Sequence, residues 1–215
     1  MSEGKTSIRF SEEMTGFLSR DELLDYDKAF RQGQQSGVAC SFNLTIRIAD
    51  VDFFVDSPKE EAAIDGTVDC LMLGGECDVV KGIFNLLVDA VPGQDDVKNM
   101  RYRLFLKAPG GSLYTLSGRK VVKDDGTLHI WRDTTTLFTK ILAGHVSEDA
   151  EATANVVASG ILHLHPLEFA KLLKSMTADG PSIVARVGAL EKFAKLFLGT
   201  LWEIYGPKSR EAQSA

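Results

Sequence analysis

The sequence predicts a mainly β chain: an antiparallel β-barrel of seven or eight strands, lipocalin-like in general build, with a helix before it and two helices after it. Three observations carry this. Through residues 37–165, apolar residues recur at every second position, which places them on one face of each extended segment. These segments follow one another through short Gly, Pro and Asp loops with no helical pattern between them. A parallel sheet is therefore excluded, because it needs a crossover between consecutive strands. Finally, an open meander of this length would leave two bare edges, and closing it into a barrel removes them. A two-sheet sandwich would share the alternation. The chain has 215 residues, 44% hydrophobic and 25% charged, which is the composition of a folded globular protein with a sizeable core.

The elements follow in order. Residues 1–18 read as a polar lead-in with scattered apolar anchors (Ile8, Phe10, Met14, Phe17, Leu18). Ser19 and Glu22 have the spacing of a capping box, followed by a short helix with Leu23, Tyr26 and Phe30 on one side, ending near Gly33. From Cys40 to Ile48 a strand alternates Cys40, Phe42, Leu44, Ile46 and Ile48 with polar residues. The phase slips at Asp50 and resumes as Val51, Phe53, Val55, which predicts a bulge. Further strands are expected over 64–71, 78–91, 100–107, 112–123, 128–142 and 153–165. Glycines 66, 82, 118 and 160 lie in or beside them, where a tightly coiled barrel needs relief from crowding.

After Gly160 the period becomes helical. Pro166 suits a first turn, and Phe169, Leu172, Leu173 and Met176 form one stripe. Asp179 to Ser182 is a break and restart. A final helix carries Ile183, Val187, Leu190, Ala194, Phe197 and Leu201, with Phe193, Leu198, Trp202 and Tyr205 widening the stripe, and stops at Gly206-Pro207. The expected organisation is thus a lead-in with a short helix (1–36), a barrel (37–165), helices packed on it (166–206) and a polar tail (207–215).

Charge and cysteine content narrow the partners. With 24 Lys+Arg against 30 Asp+Glu the net charge is -6, which argues against nucleic acid and against broad docking on anionic lipid. Residues 1–10 lack the apolar core of a secretory signal, and no apolar run is long enough to span a bilayer. The expected location is cytoplasmic, with Cys40, Cys70 and Cys77 as free thiols. Cys70 and Cys77 flank Gly74-Gly75, so a hairpin would bring them near each other.

Chemistry-bearing residues are few. His163 and His165 project to one face of a strand, but no third ligand pattern accompanies them, and no metal is expected. His129 and Asp133 share a strand face and would make an acid–base pair if that face lined a cavity. Asp65, Asp69 and Asp78 lie on adjacent strands, either as an acid–base set or as a solvated acidic face. Nucleophile-elbow, phosphate-loop and dinucleotide fingerprints are absent, so no cofactor is expected.

Several segments together carry a resemblance: 10–17 (Phe-Ser-Glu-Glu-Met-Thr-Gly-Phe), 100–104 (Met-Arg-Tyr-Arg-Leu), 116–118 (Leu-Ser-Gly), 131–137 (Trp-Arg-Asp-Thr-Thr-Thr-Leu) and 198–206 (Leu-Gly-Thr-Leu-Trp-Glu-Ile-Tyr-Gly). The chain resembles a region that accompanies cholesterol-oxidase-like flavoenzymes of the glucose–methanol–choline class in multidomain bacterial proteins. The flavin domain itself is absent, so oxidase activity is not implied. What the resemblance implies is a lipid- or sterol-related setting.

The preferred expectation is a barrel that binds an apolar small molecule (a lipid, sterol or similar), as accessory to a redox enzyme, with Phe42, Leu44, Ile46, Tyr102, Leu104 and Trp131 as its lining. One alternative is a barrel isomerase or hydrolase using His129 and Asp133, or the Asp65/Asp69 pair. The other is an interaction module whose C-terminal helix docks a separately encoded flavoenzyme or a second copy of the chain.

Overall fold

A computed structural model describes residues 4–91, 94–123 and 134–199. Eight antiparallel strands close into a barrel: β1 (Ser7–Ser19), β2 (Ala39–Ile48), β3 (Glu61–Cys70), β4 (Gly75–Val91), β5 (Gln94–Lys107), β6 (Leu113–Lys123), β7 (Thr136–Ala143) and β8 (Val156–His163). Neighbours in sequence are neighbours in the sheet, and β1 completes the ring by pairing with both β2 and β8. A short ninth strand, β9 (Thr177–Asp179), adds to the start of β1. Four helices accompany the strands among the described residues: α1 (Tyr26–Ser36), α2 (Val51–Asp56), α3 (Pro166–Ser175) and α4 (Ile183–Ala194). None is long and apolar enough to cross a membrane.

The barrel begins earlier than the sequence suggests. Residues 7–19 are its first strand, not a lead-in, and their inward positions are Ile8, Phe10, Glu12, Met14, Gly16 and Leu18. The alternation is masked because two of the six inward residues are a carboxylate and a glycine. The capping box also moves. Asp25 caps α1 by accepting the Lys28 N–H at 2.9 Å. Glu22 instead accepts the N–H groups of Leu24 and Asp25 and binds Lys28 at 2.7 Å. The Lys28 hydrogen bond, then those two N–H groups, hold its carboxyl at about 2.

The segment after Asp50 is a helix rather than a resumed strand. Asp50 accepts the Phe53 N–H as N-cap, and Val51 and Phe54, three apart, point into the core. At the C-terminal side Pro166 opens α3, and Ser182 caps α4 by accepting the Ala185 N–H. The expected stripe of α4 is only partly buried: Ile183 and Val187 are exposed, whereas Phe193 is buried, together with Ala189. Only the C-terminal turns of α4 reach the barrel, so only they bury apolar surface.

Two helices dock in different ways. Against the outer wall, α1 approaches β1 so closely that a Cβ on Gly33 would lie 2.2 Å from the Leu18 carbonyl oxygen; glycine is what permits this contact. Across the end of the barrel, α4 inserts Phe193 among Phe10, Phe54 and Phe197, with ring centroids 5.7, 6.2 and 6.1 Å away.

Candidate functional site

The barrel interior is built from the inward faces of its strands. Phe42, Leu44, Ile46, Tyr102 and Leu104, all expected as lining, are inward and buried there. Trp131, His129 and Asp133 lie outside the described residues. Interrupting this apolar interior are two charges that sequence reasoning did not single out, Glu12 and Lys120.

Glu12 stands on β1, facing Tyr102 on β5, four strands away in either direction round the ring. Its carboxylate accepts the Tyr102 hydroxyl at 2.8 Å on Oε2 and the Lys120 ammonium at 2.7 Å on Oε1. Both charged side chains are only 3% exposed. The Lys120 Nζ also lies 5.2 Å from the Tyr102 ring centroid, a cation–π contact. Tyr102 is fixed in turn by Phe84, edge-on at 5.0 Å, and by Phe42, stacked at 6.1 Å. Burial, then the Glu12 charge and hydrogen bond, push the Tyr102 hydroxyl well above the ordinary phenol range, so it stays a donor. Among the described residues no buried side-chain nitrogen or oxygen lacks a hydrogen-bond partner.

The triad also sits at a particular level of the wall. Rungs between β1 and β8 run from Thr15 to Ser19, and rungs between β6 and β7 end at Arg119–Phe138. Among the described residues β7 and β8 stay paired to each other to the end of both strands, through Leu137–Leu162 and Thr136–His163. On the outside of β1 around Glu12 lies α3, where Ser175 Oγ accepts the Ser11 N–H at 2.8 Å and Lys171 lies 3.9 Å from Glu13.

The other sequence candidates are distributed over the outer surface. Asp65 is bound by Arg47 at 2.5 Å, and Asp78 stands opposite Thr67 and Lys107. Asp69 lies farther along β3, in an outer groove of ≈ 420 Å³ that also holds His163 and His165. Both histidines face outward, opposite buried Leu162 and Leu164. Burial, then the neighbouring His165, lowers the pKa of His163. No group of three metal-ligating side chains occurs among the described residues.

All three cysteines are free and buried. The directly opposed pair is Cys40 and Cys70, not Cys70 and Cys77; Cys77 stands opposite Val68. Burial pushes the Cys77 thiol up to about 11, and a hydrogen bond with Cys70 together with burial pushes Cys40 up as well.

Comparison with protein-family models, with curated proteins and with solved structures finds no match.

Proposed function

We propose that the barrel binds an apolar small molecule carrying one polar group, a sterol or long-chain lipid, in the lipocalin-like manner the sequence suggests. The polar group is received by Glu12, Lys120 and Tyr102. The observation that carries this reading is the cost of the triad. A buried ion pair recovers its desolvation only with good geometry, and apolar residues of the same size are commonly as stabilising or more so. A barrel selected for stability alone gains nothing from such a pair. A binding site does, because ligand sites are largely apolar with a few placed polar groups. The resemblance to the flavoenzyme-accompanying region favours a sterol-like class.

The test is titration of the delipidated protein with a solvatochromic fluorescent fatty alcohol, then displacement by cholesterol, oleic acid and oleyl alcohol. Saturable one-to-one binding is expected. It weakens at least tenfold, about 1.4 kcal/mol, in the triple variant Glu12→Leu/Lys120→Met/Tyr102→Phe, whose fold is checked by circular dichroism. Absence of saturable binding to the parent, or equal binding by the variant, overturns the proposal.

A further inference from the structure

A second site lies on the outside of the barrel, in the groove beside α1. Its floor is set by register. Asp69 pairs with Ser41, Ser41 with Thr15, and Thr15 with His163. Directly paired residues share a sheet face, so these four side chains form one straight row across β3, β2, β1 and β8. At about 4.8 Å per strand the row spans about 14 Å. Along one flank α1 contributes Gln34 and Phe30, and Phe30 meets His163 edge-on at 5.3 Å.

On other parts of the outer wall some polar side chains bind one another: Arg47 binds Asp65, Arg103 binds Glu151, and Ser117 donates to Glu151. Among the described residues, the side chains of Asp69, Ser41, Thr15 and Gln34 make no hydrogen bond or ion pair with one another or with other residues. The row, with Gln34 beside it, therefore offers a carboxylate that accepts, and two hydroxyls, an imidazole and an amide that both donate and accept. No Lys or Arg lines the groove, so nothing there is matched to a phosphate or a carboxylate. A groove that sets one carboxylate and several neutral hydrogen-bonding groups among apolar residues (Phe17, Phe30 and Leu71) fits a ligand with hydroxyls on its edges and C–H groups on its faces. We propose that this groove binds a short neutral carbohydrate, a di- or trisaccharide or the sugar portion of a glycoside. A volume of ≈ 420 Å³ falls within the range of small-molecule sites.

Saturation-transfer NMR and calorimetry with maltose, cellobiose and maltotriose test this, with spermidine as a control for simple attraction to Asp69. At least one sugar is expected to saturate with a dissociation constant of about 1 mM or tighter. Asp69→Ala and Gln34→Ala, both exposed substitutions, each weaken it tenfold or more. The triple variant of the lumen leaves it unchanged, which separates this site from the interior one. Saturation by no sugar, a response to spermidine alone, or binding indifferent to Asp69→Ala overturns the inference.

Discussion

Removing Lys120 alone is predicted to cost more than removing the whole triad. In Lys120→Met the Glu12 carboxylate, 3% exposed, keeps only the Tyr102 hydroxyl. An uncompensated buried charge of this kind costs about 3–5 kcal/mol. Glu12→Leu leaves the ammonium stranded and falls in the same range. The double variant removes both charges but orphans the Tyr102 hydroxyl, whose unsatisfied burial costs about 1–3 kcal/mol. With Tyr102→Phe added, no polar group is left unpaired, and stability returns to within about 1 kcal/mol of the parent or rises above it. Urea unfolding followed by circular dichroism and fluorescence measures each step, with the m value checked for constancy. If either single variant loses under about 1 kcal/mol, or if the triple variant loses as much as the singles, the triad is not the buried, coupled unit described above.

Further outcomes follow from other parts of the molecule. Gly33→Ala gains about 1 kcal/mol of helix propensity but drives a methyl into the Leu18 backbone; a net loss of about 1–2 kcal/mol is expected, read as a lowered urea midpoint. Tyr102 binds its proton more tightly folded than unfolded, so its contribution is complete below the ordinary phenol value of 10.0 and is lost as pH rises beyond it. Parent stability should therefore fall above that pH more steeply than that of Tyr102→Phe, and tyrosinate absorbance from Tyr102 should appear only with unfolding. The three thiols should be inert to a charged disulfide reagent in the native state at pH 8 and react together in denaturant; a thiol titrating within seconds in the native protein contradicts their burial. His163 binds its proton less tightly folded than unfolded, so its contribution is present above the ordinary value of 6.5 and lost as pH falls, and its imidazole shift in NMR should titrate below that value.

What the sequence conveyed and what it hid have one physical origin. In β2 every inward residue is apolar, so its period is visible directly. In β1 the same period is broken at Glu12 and Gly16, and the strand passes for a polar lead-in. The helix α2 is hidden by the opposite accident: Val51, Phe53 and Val55 alternate as a strand would, while the buried pair is Val51 and Phe54. The triad joins residues 108 and 90 positions apart, so no local spacing announces it. A local signal nevertheless existed. Glu12 is in phase with Phe10 and Met14, and Lys120 is in phase with Leu116 and Val122. A charge at an inward phase is rare unless it has a partner, and two such positions in one chain point at each other.

Closure of the ring by its first strand bears on how the chain acquires its structure. Thr15 pairs with His163, so the seam that closes the cylinder joins segments far apart in the sequence. Until residue 163 is available, the partly assembled sheet carries two ragged, hydrogen-bond-hungry borders, and long-range pairing of this kind is slow to form. A growing polypeptide would spend most of its synthesis with those borders open, so the cylinder can close only when its last strand arrives.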